Sequence, residues 1–188
     1  MSIQESLRIK AVGDVAIMEW DLVGEKVNKM SAPILMRLRE LLEEVQASKF
    51  KALIIISRKP GIFIAGADIE EIRALKKKED FEKALNEAHL IFNKVEDLKI
   101  PVIAAIHGQC LGGGCELSLA CDYRIATEDP STRIGLPEVK LGIIPGFGGC
   151  VRLPRVVGLQ ASLDIILAGK TVDSAKALRI GLVDQVVH

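Results

Sequence analysis

The chain has 188 residues, enough for one domain with a sizeable core, and its 49% hydrophobic content matches the globular norm of about 45–50% and indicates neither disorder nor a membrane class. Lys+Arg and Asp+Glu balance at 25 each, so charge gives no support for nucleic acid as a main partner. No apolar run reaches about 18 residues and Met1-Ser2-Ile3-Gln4-Glu5 lacks a signal-peptide pattern, so no membrane insertion is expected.

Residues 7–20 alternate around Leu7, Ile9, Val12, Val15, Ile17 and Met18, with Gly13-Asp14 as the turn of a hairpin. In 32–47, Ile34, Leu35, Leu38, Leu41, Leu42 and Val45 share one helical face, with Ser31 as the candidate N-cap. Leu53-Ile54-Ile55-Ile56 is a continuous apolar run, the pattern of a strand buried on both faces. The stretch 69–98 reads as helical, charged first and then striped by Leu85, Ala88, Ile91, Phe92, Val95 and Leu98. Pro101–Ile106 is a second buried strand ending at His107-Gly108, and a helix follows from about Gly114 to Ala120. Asp122–Ala126 makes a third strand; helices over about 159–168 and 173–180 precede the closing segment Leu182–Val187. Strands alternating with helices predict an α/β layered domain with largely parallel strands, one domain over 1–188.

Several motifs fail on inspection. Gly169-Lys170-Thr171 resembles the end of a P-loop, but the required earlier glycine is Asp164. Gly112 and Gly114 would need a glycine at Leu117 to complete a dinucleotide fingerprint. Neither GxSxG nor HExxH occurs. Cys110, Cys115, Cys121 and Cys150 form no CxxC pair and have no histidine at zinc spacing, so no metal site is expected. Three of them lie in hydrophobic stretches where a free thiol packs, which points to a reducing compartment and a cytoplasmic location, mitochondrial or peroxisomal if a targeting segment has been removed. The basic clusters Arg58-Lys59 and Lys76-Lys77-Lys78 read as solvated surface, with an anionic ligand tail as the alternative.

What remains are three turn-forming elements. They are Phe63-Ile64-Ala65-Gly66-Ala67-Asp68-Ile69, Leu111-Gly112-Gly113-Gly114-Cys115-Glu116-Leu117 and Gly135-Leu136-Pro137-Glu138-Val139. Glycines beside a carboxylate combine bare N–H groups for a developing oxyanion with an acid that moves a proton. For a thioester whose carbonyl gains charge, Gly113 at a helix start suits one donor and Ala67 the other. Losing one such donor costs about 3 kcal/mol in the transition state. Glu116 has no basic neighbour on its apolar helix before Arg124; an unpaired carboxylate buried there would be costly without a function. Glu138 taken alone reads as a surface-turn glutamate, and His107 as a hydrogen-bonded structural group. Tyr123 and Trp20 read as core.

These residues resemble the crotonase (enoyl-CoA hydratase/isomerase) superfamily almost end to end. Gly24–Met30, Ala65–Ile69, Gly112–Leu117, Gly135–Glu138, Gly142–Gly149 and Gly181–Asp184 are similar to its motifs in order. Within it, Lys26-Val27-Asn28 and Pro145-Gly146-Phe147-Gly148-Gly149 look like the N-terminal hydratase domain of multifunctional fatty acid oxidation proteins. The resemblance implies a crotonase-like fold, repeated ββα units forming a spiral core, here lacking the family's usual C-terminal helical segment. It implies syn hydration of a 2-trans-enoyl-CoA, with 3-enoyl to 2-enoyl isomerisation as a companion activity. The Ala67 and Gly113 amides would hold the thioester oxygen, Glu116 would activate water, and Glu138 would deliver a proton to the α-carbon. Substrate contacts are implied at Ala65, Gly66, Asp68, Ile69, Gly112, Gly114 and Pro137. Coenzyme A would enter as the substrate thioester and not as a permanently bound cofactor. A homo-oligomer or a larger fatty acid oxidation complex would be the setting.

Two alternatives stay open at this point. One is another crotonase reaction, a dedicated isomerase, hydrolase or decarboxylase, which would alter one or both acids. The other is a non-catalytic RNA-binding or assembly module, which a basic stripe would favour.

Overall fold

The computed structural model describes residues 3–188. A short helix, α1 (Ile3–Ser6), leads into the hairpin of β1 (Leu7–Val12) and β2 (Val15–Trp20), turned at Gly13 with φ +60°. Helix α2 (Ala32–Ala47) buries the six apolar side chains of its stripe. Each such side chain contributes roughly 1.5–3 kcal/mol when fully buried. Ser31 holds the N-cap position, but its side chain makes no capping bond; the Ala32 N–H donates to Glu71 Oε2 at 2.7 Å instead.

Three ββα units follow. They comprise β3 (Ala52–Ser57), β4 (Ile62–Ile64), α3 (Ile69–Ala74) and α4 (Lys78–Glu96); then β5 (Val102–Ile106), β6 (Gln109–Leu111) and α5 (Gly113–Ala120); then β7 (Tyr123–Thr127), β8 (Arg133–Gly135), a 3-10 turn over Glu138–Leu141 and α6 (Gly149–Val157). The chain closes with α7 (Leu159–Leu167), β9 (Thr171–Val172), α8 (Ser174–Arg179) and β10 (Gln185–Val187). The first strand of each unit enters a six-stranded sheet ordered β1-β2-β3-β5-β7-β10, parallel except for the opening hairpin. The second strand enters a four-stranded sheet ordered β4-β6-β8-β9, in which β4, β6 and β8 run parallel. This is the repeated ββα arrangement of the crotonase fold.

The strand and helix expectations hold for most of the chain, with four corrections. The stretch 69–98 is two helices, because Leu75 turns extended at ψ 119° and Lys77 stays extended. Acids in each first turn, Glu70-Glu71 and Glu79-Asp80, favour a fresh start on either side of the lysine run. In β3, Leu53 and Ile55 are buried while Ile54 and Ile56 are only half-buried, so the sheet has one drier face. Helix α6 was not foreseen. Tyr123 lies 40% exposed at the start of β7, whereas Trp20 is fully buried.

Candidate active site

Parallel pairing of β4, β6 and β8 brings the C-terminal ends of three neighbouring strands to one edge. The carboxyl ends of parallel strands are where α/β sheets place ligands. From β4 the chain runs into Ala65-Gly66-Ala67-Asp68, from β6 into Gly112-Gly113, and from β8 into Leu136-Pro137-Glu138. All three sequence elements therefore meet.

The first two loops abut. A Cβ built on Gly66 would lie 3.5 Å from the Leu111 carbonyl oxygen and 4.0 Å from the Gly113 nitrogen. Residues 65–68 are held as a strand-like segment: Ala65 N donates to Asn28 O, Met30 N to Gly66 O, and Asp68 N to Met30 O. Met30 thus bridges Ala67 in parallel register, which turns the Ala67 N–H away from Met30. Gly113 opens α5, where first-turn amides lack intrahelical partners. Neither the Ala67 nor the Gly113 N–H has an acceptor among the described residues. Gly112, at φ +52° and ψ −125°, makes the turn between strand and helix that only glycine enters freely. The Met30 sulfur and the Phe147 ring flank Gly113, at 3.0 and 3.3 Å from where its Cβ would stand.

Glu116 is buried one turn into α5, and it is not unpaired. Its Oε1 accepts from the Phe147 and Gly149 amides, both at 2.8 Å. Burial pushes its carboxyl up to about 7; the Gly149 amide opposes this, the Glu138 charge adds to it, and the Phe147 amide and Arg152 oppose it. Glu138 is buried at the start of the 3-10 turn, which corrects the surface-turn expectation: β8 carries it inward beside β6. Burial raises its carboxyl as well. Its Oε1 lies 3.1 Å from where a Gly112 Cβ would stand, and its buried Oε2 has no hydrogen-bond partner among the described residues. Two carboxyl groups that both favour protonation thus share one site with two undonated amides.

The other candidates divide. Asp68 caps α3, accepting from the Glu70 and Glu71 amides, and pairs with Lys29 at 2.9 Å; that lysine holds its carboxyl below the usual range. Ile69, the first residue of α3, is 40% exposed. Pro137 precedes Glu138 at the head of the 3-10 turn. Gly114 faces β4, where a Cβ would stand 2.3 Å from the Ile64 carbonyl oxygen, so helix–strand packing requires it. Arg58 and Lys59 pair with Glu19 and Asp21, and Lys78 with Glu82. His107 donates to the Lys59 carbonyl at 2.9 Å, a structural bond as expected. Among the described residues no group of three or more His, Cys, Asp or Glu is placed to hold a metal ion.

Sequence reasoning gave no part in the site to the Phe147 and Gly149 amides, Arg152, Met30 or Asn28. The one signal for the first pair was the glycine density of 145–149. Asn28 is a buried hub: its Nδ2 donates to the Trp20 and Phe63 carbonyls and to Ser57 Oγ, and its Oδ1 accepts from Leu22 N.

Residues 15–188 match the Enoyl-CoA hydratase/isomerase family. The "Fatty acid oxidation complex subunit alpha" of Shewanella sp. strain W3-18-1 is 45% identical over 174 residues, covering 92% of this chain and 25% of that protein. Its counterpart in Shewanella frigidimarina is 42% identical over 189 residues, covering 100% of this chain and 27% of that protein. The chain thus spans about a quarter of the length of these curated relatives. Among solved structures, the enoyl-CoA hydratase of Bacillus anthracis superposes with a TM-score of 0.89 at 36% identity, covering 97% of this chain and 70% of that chain. DspI of Pseudomonas aeruginosa superposes with a TM-score of 0.90 at 34% identity, covering 97% of this chain and 73% of that chain.

Proposed function

This chain belongs to the enoyl-CoA hydratase/isomerase family, and we propose that it adds water across the double bond of a 2-trans-enoyl-CoA to give the 3-hydroxyacyl-CoA. The observation that carries the reading is the meeting of Glu116, Glu138 and the undonated amides of Ala67 and Gly113 at the ends of β4, β6 and β8. Ionised Glu116 takes a proton from water as the water oxygen bonds to the β-carbon. The π electrons move to the thioester oxygen, where the two amides hold the charge. The enolate then collapses, and its α-carbon takes the proton of Glu138. A proton passing from Glu116 to Glu138 restores the pair, which titrates as a unit. The same enolate serves a second activity, moving a 3-enoyl double bond to the 2 position. Coenzyme A enters as part of the substrate.

A setting in a fatty acid oxidation complex or homo-oligomer, in the cytoplasm, belongs to this proposal. It is supported by the names of the curated relatives and by exposed apolar side chains on α6 and α7, among them Val151, Leu159 and Leu167. Sedimentation of the purified chain tests the assembly.

The activity is tested by loss of conjugated-enoyl absorbance when the protein meets crotonyl-CoA, with Glu138→Gln alongside. Loss with the parent and none with the variant is expected. No loss with the parent, despite measured coenzyme A thioester binding, would overturn the hydratase reading.

A further inference from the structure

Arg152 is 8% exposed in α6 and makes no ion pair with Glu116. Its guanidinium reaches in three directions. Nε and one terminal nitrogen donate to Glu96 Oε2 at 3.1 and 2.8 Å, and that same nitrogen donates to Asn93 Oδ1 at 2.7 Å. The other terminal nitrogen donates to the Phe147 carbonyl at 3.3 Å. Phe147 is the residue whose own N–H donates to Glu116, and its ring stands edge-on to Phe92 of α4 at 5.6 Å. Between them, Gly148 sits at φ +105° with no room for a side chain, since a Cβ there would stand 2.1 Å from the guanidinium. Arg152 therefore occupies the hollow of the 145–149 loop and ties it to α4.

We propose that Arg152 is a positioning residue for the reaction: with Nε and one terminal nitrogen anchored on α4, its other terminal nitrogen grips the Phe147 carbonyl and so aims the Phe147 and Gly149 amides at Glu116. The inference rests on the hydratase reading for its importance to turnover, but the geometry it describes does not depend on that reading. The carboxylate of Glu116 has one oxygen fixed by the loop, which leaves the other free to face substrate water. Release of the loop would let the carboxylate swing and lose the orientation that proton transfer requires.

Charge supplies a readout that mere loosening would not imitate. The ionisable groups around Glu116 are Glu138 from the 3-10 turn, Cys150 and Arg152 from α6, and Cys115 on its own helix. Glu96 of α4 enters through its pairing with Arg152, whose positive charge favours ionised Glu116. Deleting the arginine charge and deleting its partner's charge must therefore push Glu116 in opposite directions.

The test is carbon-13 titration of the glutamate side-chain carboxyls in the whole chain, with Glu116→Gln assigning the signal, alongside crotonyl-CoA kinetics. Arg152→Gln should move the Glu116 midpoint upward and lower kcat at little change in KM. Glu96→Gln should move the midpoint downward, and Arg152→Lys should keep the positive charge yet move the midpoint upward, through release of the Phe147 and Gly149 amides, while losing turnover. If Arg152→Gln does not fold, the sign of the Glu96→Gln shift decides. An unmoved Glu116 midpoint in Glu96→Gln, or parent-like kcat in Arg152→Lys, would overturn the inference. Absence of hydration by the parent would overturn the hydratase reading alone, because the titration still reports on the loop.

Discussion

Gly112 and Glu138 meet across the site, so closely that a Cβ on Gly112 would stand 3.1 Å from Glu138 Oε1. Gly112 also holds φ +52° and ψ −125°, a conformation that a side chain makes costly by about 1–3 kcal/mol. Gly112→Ala is therefore expected to displace the Glu138 carboxyl and slow hydration by about 100-fold while the chain still folds. Steady-state kinetics with circular dichroism check this. Parent-like turnover would show that proton delivery tolerates the displacement.

Glu116 titrates at about 7 in the folded chain, against about 4.3 unfolded. Between those values the folded chain holds a proton that the unfolded chain has released. The stability this contributes is complete below about pH 4.3 and is lost as pH rises through about 7. Glu116→Gln should consequently be more stable than the parent at about pH 8, by roughly 4 kcal/mol at most, and the gain should shrink towards about pH 5. Urea unfolding at both pH values measures it. An equal difference at both would mean that burial does not raise this carboxyl.

The proposed hydration needs one proton on two carboxyls, with Glu116 ionised and Glu138 protonated. The pH profile of kcat/KM is expected to be bell-shaped, with limbs belonging to the pair and not to either acid. Glu138→Gln should remove one limb together with most of the rate. A flat profile from about pH 5 to about pH 9 would exclude the pair as the titrating machinery.

Asn28 ties the end of β2 to β3, β4 and the segment that presents Ala67. Asn28→Ala leaves the Leu22 amide and the Trp20 and Phe63 carbonyls without that partner. A loss of roughly 2–4 kcal/mol is expected, read from urea midpoints. Turnover should fall further than the unfolded fraction accounts for, since Ala65 and Met30 take their places from the same loop.

The ββα order of the chain was legible where each strand or helix declares its own period. The hairpin at Gly13-Asp14, the stripe of α2 and the apolar runs of β3 and β5 needed no tertiary information. The second strands of each unit were not legible, because Ile62–Ile64, Gln109–Leu111 and Arg133–Gly135 are three residues each and show no period. Helix α6 was hidden by Pro154 inside it and by the glycines before it. Both glutamates were singled out from their turn-forming neighbours, but their environments were not. In sequence Glu138 reads as solvated because its burial is imposed by β6, and Glu116 reads as unpaired because its partners lie about thirty residues on, at Phe147 and Gly149.

Those partners impose a schedule on a chain made from its N-terminus. When α5 emerges from the ribosome, Glu116 and the Gly113 amide are outside, but the two N–H groups that donate to Glu116, about thirty residues on, are still within the exit tunnel. A released chain ending between residues 121 and 146 would have to bury that carboxyl without its amide partners or leave α5 undocked. The amide partners of Glu116 and the tight docking of its helix are therefore acquired together and late. Translation products that stop short of Gly149 should be open to proteases around α5.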